Sequence, residues 1–193
     1  MNVALYFLYS FLQDGLPFSV TLTPLYLFLR FIFLFCRKQK NLSDKINIYR
    51  EYIMFCLFIF IVHLFVQTFV VNSGIKDINI TPFNIIIKEI IEFNKDITSF
   101  KTFILNIIGN VVIFVPVGIF AAYLWNFSLK RTAVFGFLIS LTIESTQLLL
   151  PRTSDVDDLM LNTFGTVIGY FIYKFIKNHF VKTQNKAETQ SFL

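Results

Sequence analysis

The residues best suited to chemistry lie in the second half of the chain, where polar side chains interrupt three apolar stretches. Spacings of three and four residues place the polar groups of each stretch on one face of a helix. Amides at such positions can orient a ligand through hydrogen bonds, and a carboxyl group can give or take a proton. The three sets are Asn106 and Asn110; Ser140, Glu144 and Gln147; and Asp158 and Asn162.

Glu144 lies about two helical turns from the end of its apolar stretch, where a carboxyl group needs a partner or a function. It could act as a general acid or base, or bind a ligand. The structural alternative is an ion pair with Arg152, which follows in the next loop. Arg152 itself could bind an anionic headgroup or a peptide carboxylate in a bidentate manner, or anchor the chain at the membrane surface.

Three aspartates follow in the same loop: Asp155, Asp157 and Asp158. Their oxygens suit a hard divalent cation. Helix capping accounts for Asp155 and Asp157 more simply, because a helix N-terminus favours negative charge and side-chain acceptors. We therefore predict neither a metal nor a cofactor. The hypothetical catalytic residues are Glu144, Arg152 and Asp158, and the candidate ligand-binding residues are Asn106, Asn110, Ser140, Gln147, Asn162 and Asp155.

Other polar or small residues have simpler explanations. His63 and Gln67, one turn apart, could relay protons, but we favour a neutral, hydrogen-bonded imidazole. Gly165 and Gly169 form a GxxxG pattern that is typical of close helix packing. Arg30 is expected to extend toward the cytoplasmic face, with its aliphatic stem in the apolar region.

The elements that must position these residues are membrane-spanning helices. The chain has 193 residues, of which 55% are hydrophobic and 15% charged, and it contains 26 phenylalanines. A soluble domain of this size cannot bury so much apolar surface, whereas a bilayer accommodates it. We predict an all-α polytopic bundle of about five spans. These spans cover residues 19–36, 51–72, 102–125, 132–150 and 158–176.

The net charge of +5 indicates membrane orientation rather than nucleic-acid binding, because the basic residues lie in short loops between apolar stretches. With five spans, the basic loops and the basic tail fall on one side. The positive-inside rule makes that side cytoplasmic. We therefore expect a multi-pass membrane protein with its N-terminus outside and its C-terminus inside.

Two further segments lie outside the spans. Residues 3–12 are apolar but too short to cross a bilayer, and the breaker at residues 14–17 is expected to separate them from the first span. Residues 84–93 fit a short amphipathic helix on the outer leaflet. The predicted divisions are an interfacial or re-entrant segment at 1–18, two spans at 19–72, a second-half domain at 73–180 and a polar cytoplasmic tail at 181–193.

The order of these motifs resembles the VanZ-like family. The matching residues fall between about 80 and 175, and the first two predicted spans carry no matching motif. The resemblance implies a small multispan protein of the bacterial cell membrane, with members associated with low-level teicoplanin resistance, and it supplies no established catalytic residue. The motifs are Thr81-Pro82-Phe83, Asn106-Ile-Ile-Gly-Asn110, Phe114-Val-Pro116-Val-Gly118, Ser140 through Glu144-Ser-Thr-Gln147, Arg152-Thr-Ser-Asp155-Val-Asp157-Asp158, and Asn162-Thr-Phe-Gly165 with Gly169.

Three functions remain open at the level of sequence. The first is binding of a cell-envelope ligand at the outer leaflet, with membrane lipids, a lipid-linked wall precursor or a glycopeptide as partner. The second is an intramembrane enzyme that modifies a lipid or wall precursor, with Glu144 as acid or base. A transporter is the third and least favoured, because no repeat or continuous polar path is evident. The amides could equally serve only to hold the bundle together.

Overall fold

The apolar stretches fold into long helices. The structure, a computed structural model, describes residues 3–39, 47–70, 78–92, 95, 97–150 and 154–191. It divides into two compact units, one formed by residues 1–76 with 150–152 and the other by residues 77–149 with 153–193. The helices are α1 (Val3–Gln39), α2 (Ile48–Phe65), α3 (Asn84–Glu92), α4 (Ile97–Phe103), α5 (Gly109–Leu124), α6 (Leu129–Gln147) and α7 (Val156–Ser191). The strands are β1 (Ile78–Asn79) and β2 (Ser154–Asp155), and single π-helical turns follow α2 at Val66–Val70 and α4 at Ile104–Ile108.

The all-α membrane fold is confirmed. Within the described residues, four helical stretches are long and apolar enough to cross a bilayer. The predicted fourth span, residues 132–150, corresponds to α6, which does not qualify by composition alone, because it carries two basic residues in its first turn and a polar stripe. The four stretches are Phe11–Lys38, Ile48–Val70, Ile97–Leu124 and Val156–His179.

The predicted helix break at residues 14–17 is wrong. Helix α1 continues through this segment, with Pro17 in its interior. Gly15 serves close packing, since a Cβ at this position would overlap the imidazole ring of His63. A Gly and Pro pair that would mark a loop in a soluble protein is tolerated in a membrane helix.

In the first unit, polar contacts join α1 to α2. Arg30 forms a bidentate ion pair with Glu51, with both N–O distances 2.7 Å. The carboxylate of Glu51 compensates the charge of Arg30 within the helix pair, and the expected extension of Arg30 toward the cytoplasmic face stays a prediction. His63 is buried, and its Nδ1 lies 2.9 Å from the carbonyl of Ile59 and 3.2 Å from the Ser19 hydroxyl. This agrees with the favoured hydrogen-bonded imidazole.

In the second unit, α5 and α7 run parallel at very close range. A Cβ at Gly165 would overlap the carbonyl oxygen of Val111, and one at Gly169 would overlap that of Val115. Both contacts advance by four residues in the same direction, which fixes the parallel orientation. The packing role predicted for the two glycines is confirmed.

Helix α6 packs antiparallel to α7. Gly136 lies against the side chain of Thr166, and Ser140 lies against Asn162. Residue numbers therefore increase along α6 in the direction in which they decrease along α7. The N-terminal ends of α5 and α7 therefore lie beside the C-terminal end of α6. This arrangement brings the three predicted polar stripes to one end of the unit.

Candidate functional site

Five polar residues occupy the end of the second unit where α5, α6 and α7 meet. We call them the polar cluster: Asn110, Ser140, Gln147, Asp158 and Asn162. The Asn110 amide donates to Asp158 Oδ1 at 2.5 Å, which joins α5 to α7. The Asn162 amide donates to Ser140 Oγ at 2.9 Å, which joins α7 to α6. The structure thus joins four of these residues in two pairs, and Gln147 is buried at the C-terminal end of α6.

Glu144 holds the loop that leads into α7. Its buried Oε2 accepts the backbone N–H of Asp155 at 2.9 Å and the Ser154 hydroxyl at 3.1 Å. These donors attach the end of α6 to β2 and the start of α7. Glu144 therefore stabilises this loop, and a role as general acid or base would have to be compatible with these hydrogen bonds. Its predicted partner Arg152 lies outside the described residues.

Asp155 caps α7, as predicted. Its Oδ1 accepts the backbone N–H of Asp157 at 2.8 Å, the contact that an N-cap residue makes with the second helical residue. The same oxygen accepts the Asn79 side-chain amide at 2.9 Å. Asp155 and Asn79 are also paired in the parallel β1–β2 ladder, where Ile78 pairs with Ser154. Asp155 is thus part of the frame beside the polar cluster.

Asp157 lies where it was predicted and has a further role that the sequence did not indicate. It lies in the first turn of α7, but its carboxylate caps α3, accepting the backbone N–H groups of Phe83, Ile85 and Ile86 at 2.5, 2.9 and 3.2 Å. Phe83 occupies the N-cap position of α3 and has no side-chain oxygen, so Asp157 supplies the acceptor. Phe83 also has a φ of 64°, a conformation that costs energy and needs support from its surroundings.

Asn106 stands apart from the cluster. It lies in the π-helical turn at Ile104–Ile108, and its amide donates to Glu89 Oε1 of α3 at 3.0 Å, in an exposed position. The face that it was expected to share with Asn110 is altered, because a π-helical turn inserts an extra residue into the helix. Asn106 therefore tethers α3 and does not line the buried end of the helices.

Several hydrogen-bonding groups of the polar cluster remain open. Gln147 is 8% exposed, and its side-chain amide has no hydrogen-bond partner among the described residues. Asn162 is 4% exposed, and its Oδ1 is likewise unpartnered in the described part of the chain. Asp158 is partly accessible and accepts only the Asn110 amide from described residues. Buried polar groups are rarely left in this state, so these atoms can receive a ligand.

The comparisons with known proteins identify one family. The model of the VanZ/LLP1 family matches residues 48–177, which is more than half of the chain. The chain belongs to the VanZ/LLP1 family. Searches of curated proteins and of solved structures gave no match.

The VanZ/LLP1 match extends further toward the N-terminus than the motifs indicated. It begins at the start of α2 and includes every residue of the polar cluster, whereas α1 precedes it. The sequence motifs contained Asp155, Asp157 and Thr81-Pro82-Phe83, but they did not indicate which side chain caps which helix. Asn79, Glu89 and Ser154 were missed as contributors to the frame, because their contacts join segments without a shared periodicity.

Proposed function

We propose that this VanZ/LLP1 protein binds a cell-envelope ligand at the polar cluster and contributes to low-level resistance to teicoplanin and related lipoglycopeptides. The observation that carries the proposal is the buried Asn162 Oδ1, which has no partner among the described residues and lies at the same helix ends as the accessible amide of Gln147. The resistance component comes from the association of some VanZ-like members with teicoplanin.

A purely structural role explains the unpartnered amide groups less well than a binding role does. Interhelical hydrogen bonds stabilise membrane helices when donor and acceptor meet, as Asn162 and Ser140 do. A buried amide oxygen without such a contact, as at Asn162 Oδ1, costs about 1–3 kcal/mol in protein mutation data. A ligand that completes these hydrogen bonds would recover that cost, which favours a binding site over a packing role alone.

An intramembrane enzyme is the second candidate. The observation that favours it is the partly accessible carboxyl of Asp158, which could exchange a proton with a bound lipid or wall precursor. Glu144 is less suited to this task than the sequence suggested, since its Oε2 already accepts two donors from the loop. A catalyst should change the lipid or muropeptide profile of the cell, whereas a binding protein should leave the covalent structures unchanged.

Binding is tested with the purified full-length protein in lipid nanodiscs. Lipid-linked wall precursor and teicoplanin are titrated separately against wild type and Gln147→Leu, which has a similar volume without the amide. We expect saturable binding of at least one of these ligands to wild type and roughly two- to tenfold weaker binding to the variant, since a hydrogen bond contributes about 0.5–1.5 kcal/mol.

The matched control is Gln67→Leu, which makes the same chemical change in the π-helical turn that follows α2 in the first unit. It should retain the wild-type affinity. Equal affinities of Gln147→Leu and wild type, or no binding of either ligand to wild type, would contradict the proposal.

A further inference from the structure

The segment that joins α1 to α2 carries more positive than negative charge. Residues 30–51 contain six basic and two acidic side chains, so their net charge is +4 however they pair with one another. The only other acidic residue of positions 1–76 is Asp14, which lies about 24 Å from Arg30 along α1. The first unit therefore has a cationic end. The charged residues of the segment are Arg30, Arg37, Lys38, Lys40, Lys45 and Arg50, with Asp44 and Glu51.

Three arginines surround Glu51 at this end. Arg30 binds both of its carboxylate oxygens, with N–O distances of 2.7 Å, and this ion pair holds α1 against α2. Arg37 and Arg50 lie within electrostatic range of the same carboxylate. One carboxylate offsets one of three guanidinium charges, so the paired helix ends attract an anion.

Two of the basic side chains at this end are exposed, those of Arg50 and Lys38. The backbone N–H of Arg50 donates to Asn47 Oδ1 in the N-cap of α2, so the cap does not involve the guanidinium group. A guanidinium group matches the geometry of a phosphate, with which it can form two hydrogen bonds. The exposed charges can therefore meet a phosphate group directly.

The side chains beside Arg50 favour a lipid over a soluble polyanion. Ile48 and Tyr49 are 79% and 80% exposed, and Tyr52 is 64% exposed. Tyr49 and Tyr52 are three residues apart and share one face of α2. Tyrosine is enriched where the hydrocarbon region meets the headgroups, and the apolar stretch Ile48–Val70 begins at this point. A phospholipid would cover these side chains and bring its headgroup to Arg50, whereas a soluble polyanion would leave them in water.

We propose that the paired ends of α1 and α2 bind an anionic phospholipid, with Arg50 and Lys38 attracting its headgroup and Tyr49 and Tyr52 lying beside its glycerol region. The net charge of the headgroup is the basis of selection, since neutral phospholipids also carry a phosphate. This lipid-binding end belongs to the first unit and does not depend on the ligand proposed for the polar cluster.

Local photocrosslinking tests which lipid lies beside Arg50. Tyr49 of the full-length protein is replaced by the photoreactive amino acid benzoylphenylalanine, which the high exposure of this position should tolerate. The protein is reconstituted in nanodiscs with equal amounts of phosphatidylglycerol and phosphatidylcholine that have identical acyl chains. After irradiation, mass spectrometry gives the ratio of the two lipids attached at position 49.

We expect phosphatidylglycerol to exceed phosphatidylcholine at least about fivefold, because one basic residue near an anionic surface contributes about 1 kcal/mol, which corresponds to about fivefold. Arg50→Gln combined with Lys38→Gln should lower this ratio at least about fivefold. Arg50→Lys combined with Lys38→Arg keeps both charges and should retain it, which separates a loss of charge from a loss of structure.

The matched control is Lys130→Gln combined with Arg131→Gln, which removes the same charge from exposed residues of the first turn of α6. It should retain the wild-type ratio at position 49. Equal capture of the two lipids by the otherwise wild-type protein would overturn the proposal, as would an equal loss of preference in the control and in the Arg50 and Lys38 variant. Absence of any attached lipid, or capture of an added oligonucleotide instead, would assign this end to the aqueous phase and overturn it as well.

Discussion

Glu144 and Asp158 are both carboxyl residues of the helix ends, but their contacts give them different tasks. Glu144 is buried, and its Oε2 is saturated by the Ser154 hydroxyl and the Asp155 N–H. Asp158 is partly accessible and accepts one amide from the described residues. The sequence could place both at similar depth, because helical spacing is regular. It could not assign their roles, because Ser154 is a loop residue whose position depends on tertiary structure.

The first prediction separates a structural Glu144 from a catalytic one. Glu144→Gln keeps an oxygen that can accept from Ser154 and Asp155, so we expect near-normal stability and ligand binding. Glu144→Ala removes that acceptor and should lower the free energy of unfolding by about 1–3 kcal/mol, the cost of an unsatisfied buried donor. Thermal unfolding in detergent measures the difference. A fully stable Glu144→Gln protein that had lost all function would instead favour Glu144 as acid or base.

At the scale of elements, α3 depends on a residue that lies far away in the chain. Asp157 accepts the N–H groups of Phe83, Ile85 and Ile86, and the Asn79–Asp155 pair fixes the strand that precedes α3. The amphipathic pattern of residues 84–93 predicted the helix correctly, since α3 spans Asn84–Glu92. The pattern could not predict the cap, because no local signal links an aspartate to a helix N-terminus more than 70 residues earlier.

The second prediction concerns this cap. Asp157→Ala should leave α7 helical but destabilise the first turn of α3, because three backbone donors lose their acceptor. Loss of an N-cap costs about 0.5–2 kcal/mol. Hydrogen exchange should therefore become faster at Ile85 and Ile86, with little change in α5.

Glu92→Gln is the matched control for Asp157→Ala, as it removes a carboxylate at the other end of α3. It should not alter exchange in the first turn. Unchanged protection of Ile85 and Ile86 in Asp157→Ala would show that the cap is dispensable.

The third prediction tests the close contact between α5 and α7. Gly165→Ala places a methyl group where the carbonyl oxygen of Val111 lies, so the helices must separate. Overpacking of this kind costs about 1–3 kcal/mol. Phe164 is the neighbouring residue and is exposed, so Phe164→Leu should change the unfolding temperature much less. A Gly165→Ala protein as stable as wild type would contradict the parallel close packing.

At the scale of the whole molecule, the composition predicted the membrane fold and the polar stripes predicted the meeting of three helix ends. The continuity of α1 could not be predicted, since Gly15 and Pro17 indicate a break in aqueous proteins, whereas here Gly15 accommodates the imidazole of His63. The apolar run of α6 is interrupted by polar residues that face α7, which explains why its span was the least evident by composition.

The fourth prediction is the membrane orientation. Basic residues follow the first predicted span and occur in the tail, so the positive-inside rule predicts a cytoplasmic C-terminus. A reporter that is active only in the cytoplasm, fused after residue 193, should be active, and one that requires export should be inactive. The opposite pattern would place the polar cluster on the cytoplasmic side and contradict an envelope ligand reached from outside.

The most direct test of the central claim is teicoplanin susceptibility in a susceptible Gram-positive host. Wild type, Asp158→Asn and Glu92→Gln are expressed at equal membrane levels, with vancomycin susceptibility measured in parallel. We predict that wild type and Glu92→Gln raise the inhibitory concentration of teicoplanin and that Asp158→Asn does not. Protection by Asp158→Asn equal to that of wild type, or no protection by inserted wild type, would contradict a ligand site at the polar cluster that contributes to resistance.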